Sequence, residues 1–375
     1  MLIAINAQGV PEQASPNCRL RRDEYYCPAC ASSVMFRSGP KTIPHFAHRK
    51  NQLCEVASDP ESIEHLTGKL QLFKQLQLST EKCQLEKYFP QIKQKSDIYF
   101  EYCGSRVAVE FQCSSISLDR LNERTLGYLS ISIIPIWIFH ISLLKVKYLS
   151  LVKLSKLVQQ GINDSGQLYF FDPIKEACVI LSQLAPFSVN QYFTNINRIA
   201  LINLLPNHLL DFHTAVPTYF HNWRLKRHHH LVKSIRFEGL RVPFYQKLYQ
   251  SGLHASQLPI FVGIPLPSGI LLQTPAVEWQ GRIFLALYLL KTTTPTSTKQ
   301  LFQQMIDKRE IVVQESVVPG RPTMIALAEY LEVLKKVGFI TFENGILSVH
   351  HEMITQASEE KLYQFLRSQS WRASE

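Results

Sequence analysis

The chain is short of charge. Only 19% of its 375 residues are Asp, Glu, Lys or Arg, and acids are the scarcer sign, 30 against 40. With 46% hydrophobic residues, this excludes a mainly disordered chain, which could not bury enough apolar surface to offset its conformational entropy. No basic segment precedes the first apolar residues, Met1-Leu2-Ile3-Ala4-Ile5-Asn6, so no secretory signal is predicted. Eight cysteines spread over so long a chain do not make a disulfide scaffold, and a reducing cytoplasm fits best. No internal repeat is visible. One stretch, Thr125 to Leu144, has no charged residue and is long enough to cross a bilayer. Its serines, His140 and central Pro135 argue against a span, and Ile133 to Phe139 read as a buried strand after a helix.

What charge there is nets to +10, and two windows account for it. Residues 141–160 carry Lys145, Lys147, Lys153 and Lys156 with no acid. Residues 221–250 carry Arg224, Lys226, Arg227, Lys233, Arg236, Arg241 and Lys247 against Glu238, together with His221, His228, His229 and His230. Such runs suit phosphate contact or a solvated basic face, and they make an anionic partner the first expectation.

The predicted architecture is mixed α and β in four parts, 1–58, 59–150, 151–277 and 278–375. Residues 23–58 are rich in Cys, His and Pro and poor in periodicity, as in a small domain held by a metal. Asp59-Pro60 caps a helix running to about Leu78, where Leu66, Leu70, Phe73 and Leu76 recur at helical spacing. Strands follow at Glu81–Phe89, Ser96–Tyr102 and Arg106–Gln112, then a helix at 117–130 and a strand at 133–139. Residues 150–215 mix strands and amphipathic helices, 221–254 form one or two basic helices, and a Pro-rich connector spans Pro259 to Pro275. Helices at 278–291, 298–309 and 322–337 with a hairpin turning at Asn344-Gly345 resemble a winged helix-turn-helix.

Two constellations carry chemistry. Cys27-Pro28-Ala29-Cys30 is followed after fourteen residues by His45-Phe46-Ala47-His48, then by Cys54. Two thiolates two residues apart can grip one tetrahedral zinc from a tight turn. Cys27, Cys30, His48 and Cys54 are the expected ligands, with His45 the alternate, in a closed structural site. The second constellation is acidic. Glu64 lies on the first helix beside His65, with Lys69 one turn beyond His65. Asp97 begins the second strand, and Glu110 and Gln112 share a face of the third. Carboxylates at about 5 Å repel by roughly 3 kcal/mol at an effective dielectric near 20. A fold that gathers them must protonate one or bind a cation, and oxygen ligands select Mg²⁺ or Mn²⁺.

In the order CPAC, HFAH, ESIEHLTGK, SDIYF, VAVEFQCSSIS, ERTLGY and IPIWIF, the chain resembles the CoiA family of competence proteins over about residues 20–140. The resemblance implies a PD-(D/E)xK nuclease-like αβββαβ core. It implies that Glu64, with Glu61 close by, is the helix acid, and that Asp97 and Glu110 bind the metal. Gln112 stands where that superfamily usually has a catalytic lysine, and Lys69 is a displaced source of positive charge. Ser115, Arg124 and Tyr128 then line the site or contact phosphate. The implied role is handling DNA in natural transformation, with recombination proteins as further partners. Three functions compete on this reading: a Mg²⁺- or Mn²⁺-dependent DNA nuclease, a non-cleaving DNA-binding module with a degenerate site, and a protein adaptor carried by the C-terminal helices.

Overall fold

The computed structural model describes residues 1–18, 24–39, 42–49, 54, 61–148, 150–163, 165–210, 219–233, 236, 242–314, 322–351, 360–362 and 364. The chain divides into two units. The first holds Met1–Leu144, Lys156–Ile180 and Asn197–Phe212, the second Lys145–Ser155, Leu181–Ile196 and His213–Glu375.

The first unit opens with five short strands: β1 (Ile3–Asn6), β2 (Pro11–Gln13), β3 (Tyr25–Tyr26), β4 (Ser33–Gly39) and β5 (Thr42–His48), ordered β2-β1-β3-β4-β5. The sequence reads as almost coreless here. The sheet nevertheless buries Ala4, Tyr25, Cys27, Val34 and Phe46 together, with the Tyr25 and Phe46 rings 4.6 Å apart. Strands β1, β3, β4 and β5 each supply one of these residues, with Cys27 from the turn after β3.

Helix α1 (Ile63–Gln77) begins at Ser62, whose hydroxyl accepts from the His65 N–H at 3.1 Å. The expected cap, Asp59-Pro60, lies outside the described residues. Strands β6 (Glu81–Leu85), β7 (Tyr88–Phe89), β8 (Gln94–Lys95), β9 (Ile98–Tyr102) and β10 (Ser105–Gln112) follow. The single strand predicted from Glu81 to Phe89 is broken because Glu86 adopts a left-handed backbone, φ +52°. Helix α2 (Leu118–Ser130) is capped by Ser117 and leads to β11 (Ile134–His140). The chain then adds β12 (Lys145–Tyr148), β13 (Leu151–Lys153), α3 (Lys156–Gln159), β14 (Leu168–Asp172), β15 (Ala177–Ser188), β16 (Gln191–Ala200) and α4 (Pro206–Leu210). The region 150–215 is thus more strand than the mixed expectation.

In the first unit the strands lie in the order β14-β11-β10-β9-β6. Strand β10 runs antiparallel to β9 and parallel to β11. Period-two alternation divides β10. Val107, Val109 and Phe111 pack with Leu66, Leu72 and Phe73 of α1, while Ala108 packs with Tyr128 of α2. The helices therefore cover opposite faces. Gly68 is where α1 comes closest to the sheet, since a Cβ there would overlap the Phe111 ring. Strand β11 is buried from Ile136 to Phe139, as expected of the charge-free stretch, and no helix among the described residues is long and apolar enough to cross a membrane.

In the second unit β12, β13, β16 and β15 are neighbours in that order. Helices α5 (Phe220–Lys233), α6 (Pro243–Gln250), α7 (Ala276–Leu290), α8 (Pro295–Asp307) and α9 (Met324–Lys336) follow, with β17 (Thr292–Thr293), β18 (Ile340–Glu343) and β19 (Ile346–Val349) forming a sheet ordered β17-β19-β18. The turn between β18 and β19 has Asn344 and Gly345 at φ +50° and +80°, the type I′ geometry expected of Asn-Gly. The Pro-rich segment is no exposed connector. Phe261, Val262, Ile264, Leu266 and Leu272 between its prolines are buried in the core of this unit, because their apolar surface outweighs the missing backbone donors.

Candidate active site and metal cluster

The Cys27–Ser32 turn is closed by the Cys27 N–H to Ser32 carbonyl bond (2.8 Å) and the Ala31 N–H to Cys27 carbonyl bond (2.9 Å), with Ala31 at φ +55°. The Ala29 N–H points at Cys27 Sγ, 3.4 Å away. Strand register sets His48 opposite Val34 and brings its Nε2 to 3.4 Å from Cys30 Sγ. Ligand atoms of Cys27, Cys30, His48 and Cys54 all lie within 4.8 Å of one another. A tetrahedron with bonds of about 2.3 Å has edges near 3.8 Å, so this donor set fits a thiophilic metal with little closure. Burial pushes the Cys27 thiol up to about 11. Burial also raises Cys30, but hydrogen bonds with Ser32, His48 and Cys54 outweigh it and bring Cys30 down to about 6. His45 turns away: its Nδ1 is 2.8 Å from the Ile43 carbonyl.

The second cluster centres on Lys69, whose side chain is fully buried. Its Nζ lies 2.7 Å from Glu61 Oε1, 2.6 Å from Glu86 Oε1 and 3.3 Å from Asp97 Oδ1. Asp97 Oδ2 accepts from the Phe111 N–H at 2.9 Å and lies 3.1 Å from His65 Nε2. Burial alone would drive protons off the lysine and onto the acids. The three carboxylates reverse this and hold Lys69 well above the ordinary lysine value. In return, against burial, the Lys69 ammonium brings Glu86 down to about 2, and His65 and Lys69 together hold Asp97 far below the carboxylate range. Burial lowers His65 too, but Asp97 and Glu61 outweigh it and leave the imidazole pKa raised.

Glu110 takes the other face of β10. Its Oε1 accepts from Arg124 and from the Tyr128 hydroxyl, each at 2.5 Å. Burial and then Asp97 outweigh these donors and raise its pKa. Among the described residues, Glu61, His65 and Asp97 also qualify as a cation site, with ligand atoms within 4.8 Å of one another. The Lys69 ammonium already stands against two of them, so the set accepts positive charge.

Three CoiA family models together match most of this chain, between residues 10 and 346. The N-terminal domain model matches residues 10–57, the nuclease-like domain model residues 61–214 and the C-terminal domain model residues 218–346. The chain belongs to the CoiA family of competence proteins. Competence protein CoiA of Bacillus subtilis (strain 168) is 29% identical over 338 residues, 87% of this chain and 90% of that protein. No solved structure matches.

Within this nuclease-like domain of the CoiA family, the geometry sorts the residues singled out by sequence. Lys69 and Asp97 are brought together, and Glu61, two residues before α1, lies against the same Lys69; Glu64 is exposed on the first turn of α1. Gln112 donates to the Ser114 carbonyl at 2.8 Å, and Ser115 is exposed. Arg124 and Tyr128, expected to line the site or contact phosphate, both donate to Glu110, and Tyr128 is fully buried. On α5, Arg224, Lys233 and, just beyond, Arg236 are exposed and Lys226 is half-buried. Arg227 does not join them. It is buried and donates to the carbonyls of Val262, Leu258 and Pro259, because the helical period turns it toward the core.

Sequence reasoning missed two features. Glu86 was hidden inside what periodicity reads as one strand. Residues 31–50 carry Arg37, Lys41, Arg49 and Lys50 with no acid, a basic window cancelled in the whole-chain sum by acids elsewhere. Arg37 pairs in register with His45 on the β4–β5 hairpin, where both line a concavity of about 490 Å³.

A raised imidazole pKa has a definite sign. His65 contributes stability fully below its unfolded value of about 6.5, and loses it as pH rises through the higher folded value. Urea denaturation of the wild type and His65→Gln, in buffer free of Mg²⁺ and Mn²⁺, is expected to give a stability difference that is largest near pH 6 and shrinks by pH 8. A difference that grows over this interval contradicts the assignment.

Proposed function

We propose that the chain is a metal-dependent DNA nuclease acting in competence and recombination, built on a core of the PD-(D/E)xK type. The observation that carries this reading is the buried Lys69–Glu61–Asp97–His65 cluster at the junction of α1, β9 and β10, where the main-sheet strands β6, β9 and β10 lie between α1 and α2 in the chain and β11 follows. Burying this many charges is costly, and a cluster of this kind is found chiefly where chemistry needs it. Glu61, His65 and Asp97 hold a Mg²⁺ or Mn²⁺ ion, with Glu110 the next acid along the sheet and Glu64 at the exposed rim. Such an ion polarises a phosphodiester and acidifies a water.

The chain's own residues prepare the site. Lys69 offsets the mutual repulsion of three carboxylates and supplies the positive charge that Gln112 lacks. His65 holds one oxygen of Asp97 through the bond at Nε2. Arg124 and Tyr128 fix Glu110 and so act as positioning groups, with Ser115 on the adjoining loop facing solvent. The exposed cations Arg224, Lys233 and Arg236, with Lys226, provide phosphate contact of the sequence-independent kind. Cys27, Cys30, His48 and Cys54 bind a structural zinc. Helices α7 to α9 with the β17-β19-β18 sheet form a winged-helix-like end, which serves DNA or a recombination protein. The cytoplasm is the proposed compartment.

One observation favours the second reading, a DNA-binding module without cleavage. Asp97 already receives Lys69, His65 and the Phe111 N–H, and Gln112 is turned to Ser114, so the site is neutralised by its own cations. A cleavage panel on single-stranded, duplex and branched DNA with Mg²⁺ or Mn²⁺ separates the two. Asp97→Ala is expected to lower cleavage by at least about 100-fold, beyond the 10–100-fold typical of supporting residues, while keeping DNA affinity and its salt dependence. Wild-type cleavage by the variant sinks the nuclease reading; DNA binding with no wild-type cleavage selects the second. For the first cluster, elemental analysis is expected to find one zinc per chain, lost in Cys30→Ser. Full zinc retention in that variant contradicts the ligand set.

A further inference from the structure

Glu86 has no part in the proposed cation set of Glu61, His65 and Asp97, yet it is among the most enclosed charged side chains of the first unit, with 1% of its side chain exposed. Its two oxygens face different parts of the fold. Oε1 accepts from Lys69 at 2.6 Å. Oε2 accepts the backbone N–H groups of Leu2 at 2.7 Å and Ile3 at 3.1 Å, with Lys95 Nζ 3.4 Å away. Its own N–H donates to the Asp97 carbonyl at 2.9 Å. The left-handed backbone at Glu86 is what ends β6 and turns the carboxylate inward.

Leu2 and Ile3 lead into β1, the strand of the N-terminal sheet that lies between β2 and β3. The Leu2 side chain is fully buried among Leu66, Leu72 and Ile98 of the nuclease-like core. The Met1 carbonyl accepts from Phe46, on the strand that ends at His48. A continuous chain of bonds therefore runs from the sheet that carries the Cys–His cluster, through Glu86, to the cation of the acidic cluster.

We propose that Glu86 is a positioning residue that fixes Lys69 against Asp97 and Glu61, and that it makes the N-terminal sheet a working part of the nuclease centre. This rests on the nuclease reading for its catalytic consequence, though not for the coupling itself. The chemistry demands a carboxylate. Both oxygens accept, one from an ammonium and one from two amides, so an amide of the same shape must turn an NH₂ group against donors on one side. With that NH₂ group toward Lys69, the ammonium keeps only Glu61 and Asp97 and shifts relative to Asp97; with it toward Leu2 and Ile3, the tie that holds the side chain against Lys69 is lost.

The test uses the full chain and Glu86→Gln, which preserves length and volume. Two readouts are taken: DNA cleavage kinetics with Mn²⁺, and amide exchange by NMR at Leu2, Ile3 and along α1 around Lys69. The expected result is a kcat lowered about 10–100-fold, a KM for DNA within about twofold of wild type, and faster exchange in both β1 and α1. A wild-type kcat with faster exchange at Leu2 and Ile3 only would overturn the proposal and leave Glu86 a structural tether. If the wild type cleaves no DNA, the nuclease reading fails alone. The coupling then stands on accelerated exchange in α1, and falls if α1 is unchanged. Should Glu86→Gln fail to fold, Glu86→Asp keeps two acceptor oxygens and suits the left-handed backbone. Its shorter reach is expected to lower kcat, with KM held, and an unchanged kcat would likewise overturn the proposal.

Discussion

A fully buried ammonium shared by three carboxylates organises the first unit. Lys69 cannot be removed from water without partners, and Glu61, Glu86 and Asp97 cannot be gathered without a cation. Each group is tolerable only because the others are there. The elements that supply them are fixed by the same requirement: α1 for Lys69 and His65, the residue before the Ser62 cap for Glu61, the break after β6 for Glu86 and the residue before β9 for Asp97. Gly68, one residue before Lys69, lets the helix approach Phe111 closely enough for the lysine to reach the sheet.

The acidic centre is consequently two half-sites on opposite faces of β10. Asp97 is drawn to the α1 side by His65 and Lys69, while strand alternation sends Glu110 to the α2 side, where Arg124 and Tyr128 meet it. The halves still feel each other, since Asp97 contributes to the raised pKa of Glu110. Cation binding and proton binding in such a centre compete for the same oxygens. That is why its own lysine and histidine matter as much to the chemistry as its acids.

Much of this was legible in the sequence where a signal is local. The Asn-Gly turn, the charge-free strand and the C-terminal helices follow from short-range rules and lie within a few residues of where the pattern sets them. The Cys–His cluster was legible because metal ligands obey spacing. What was not legible depends on distant partners. Nothing near Arg227 reveals that three carbonyls from residues 258–262 await it. Choosing Glu61 over Glu64 requires knowing where Lys69 ends. Glu86 looks like one more polar residue in a strand until Leu2, Ile3 and Lys69 are seen converging on it. The buried Pro-rich segment misled for a related reason: its prolines are a local signal, while its burial is a tertiary one.

The account stands or falls on the charge of one atom. Heteronuclear NMR of selectively ¹⁵N-labelled lysine, with Lys69→Arg to assign the signal, reads the protonation of Lys69 Nζ directly. The expected result is a slowly exchanging ammonium that is still protonated at the ordinary lysine value of 10.5. A neutral Lys69 amine near pH 9, or a titration below that ordinary value, would mean that the carboxylates do not hold it, and would contradict the arrangement on which the rest depends.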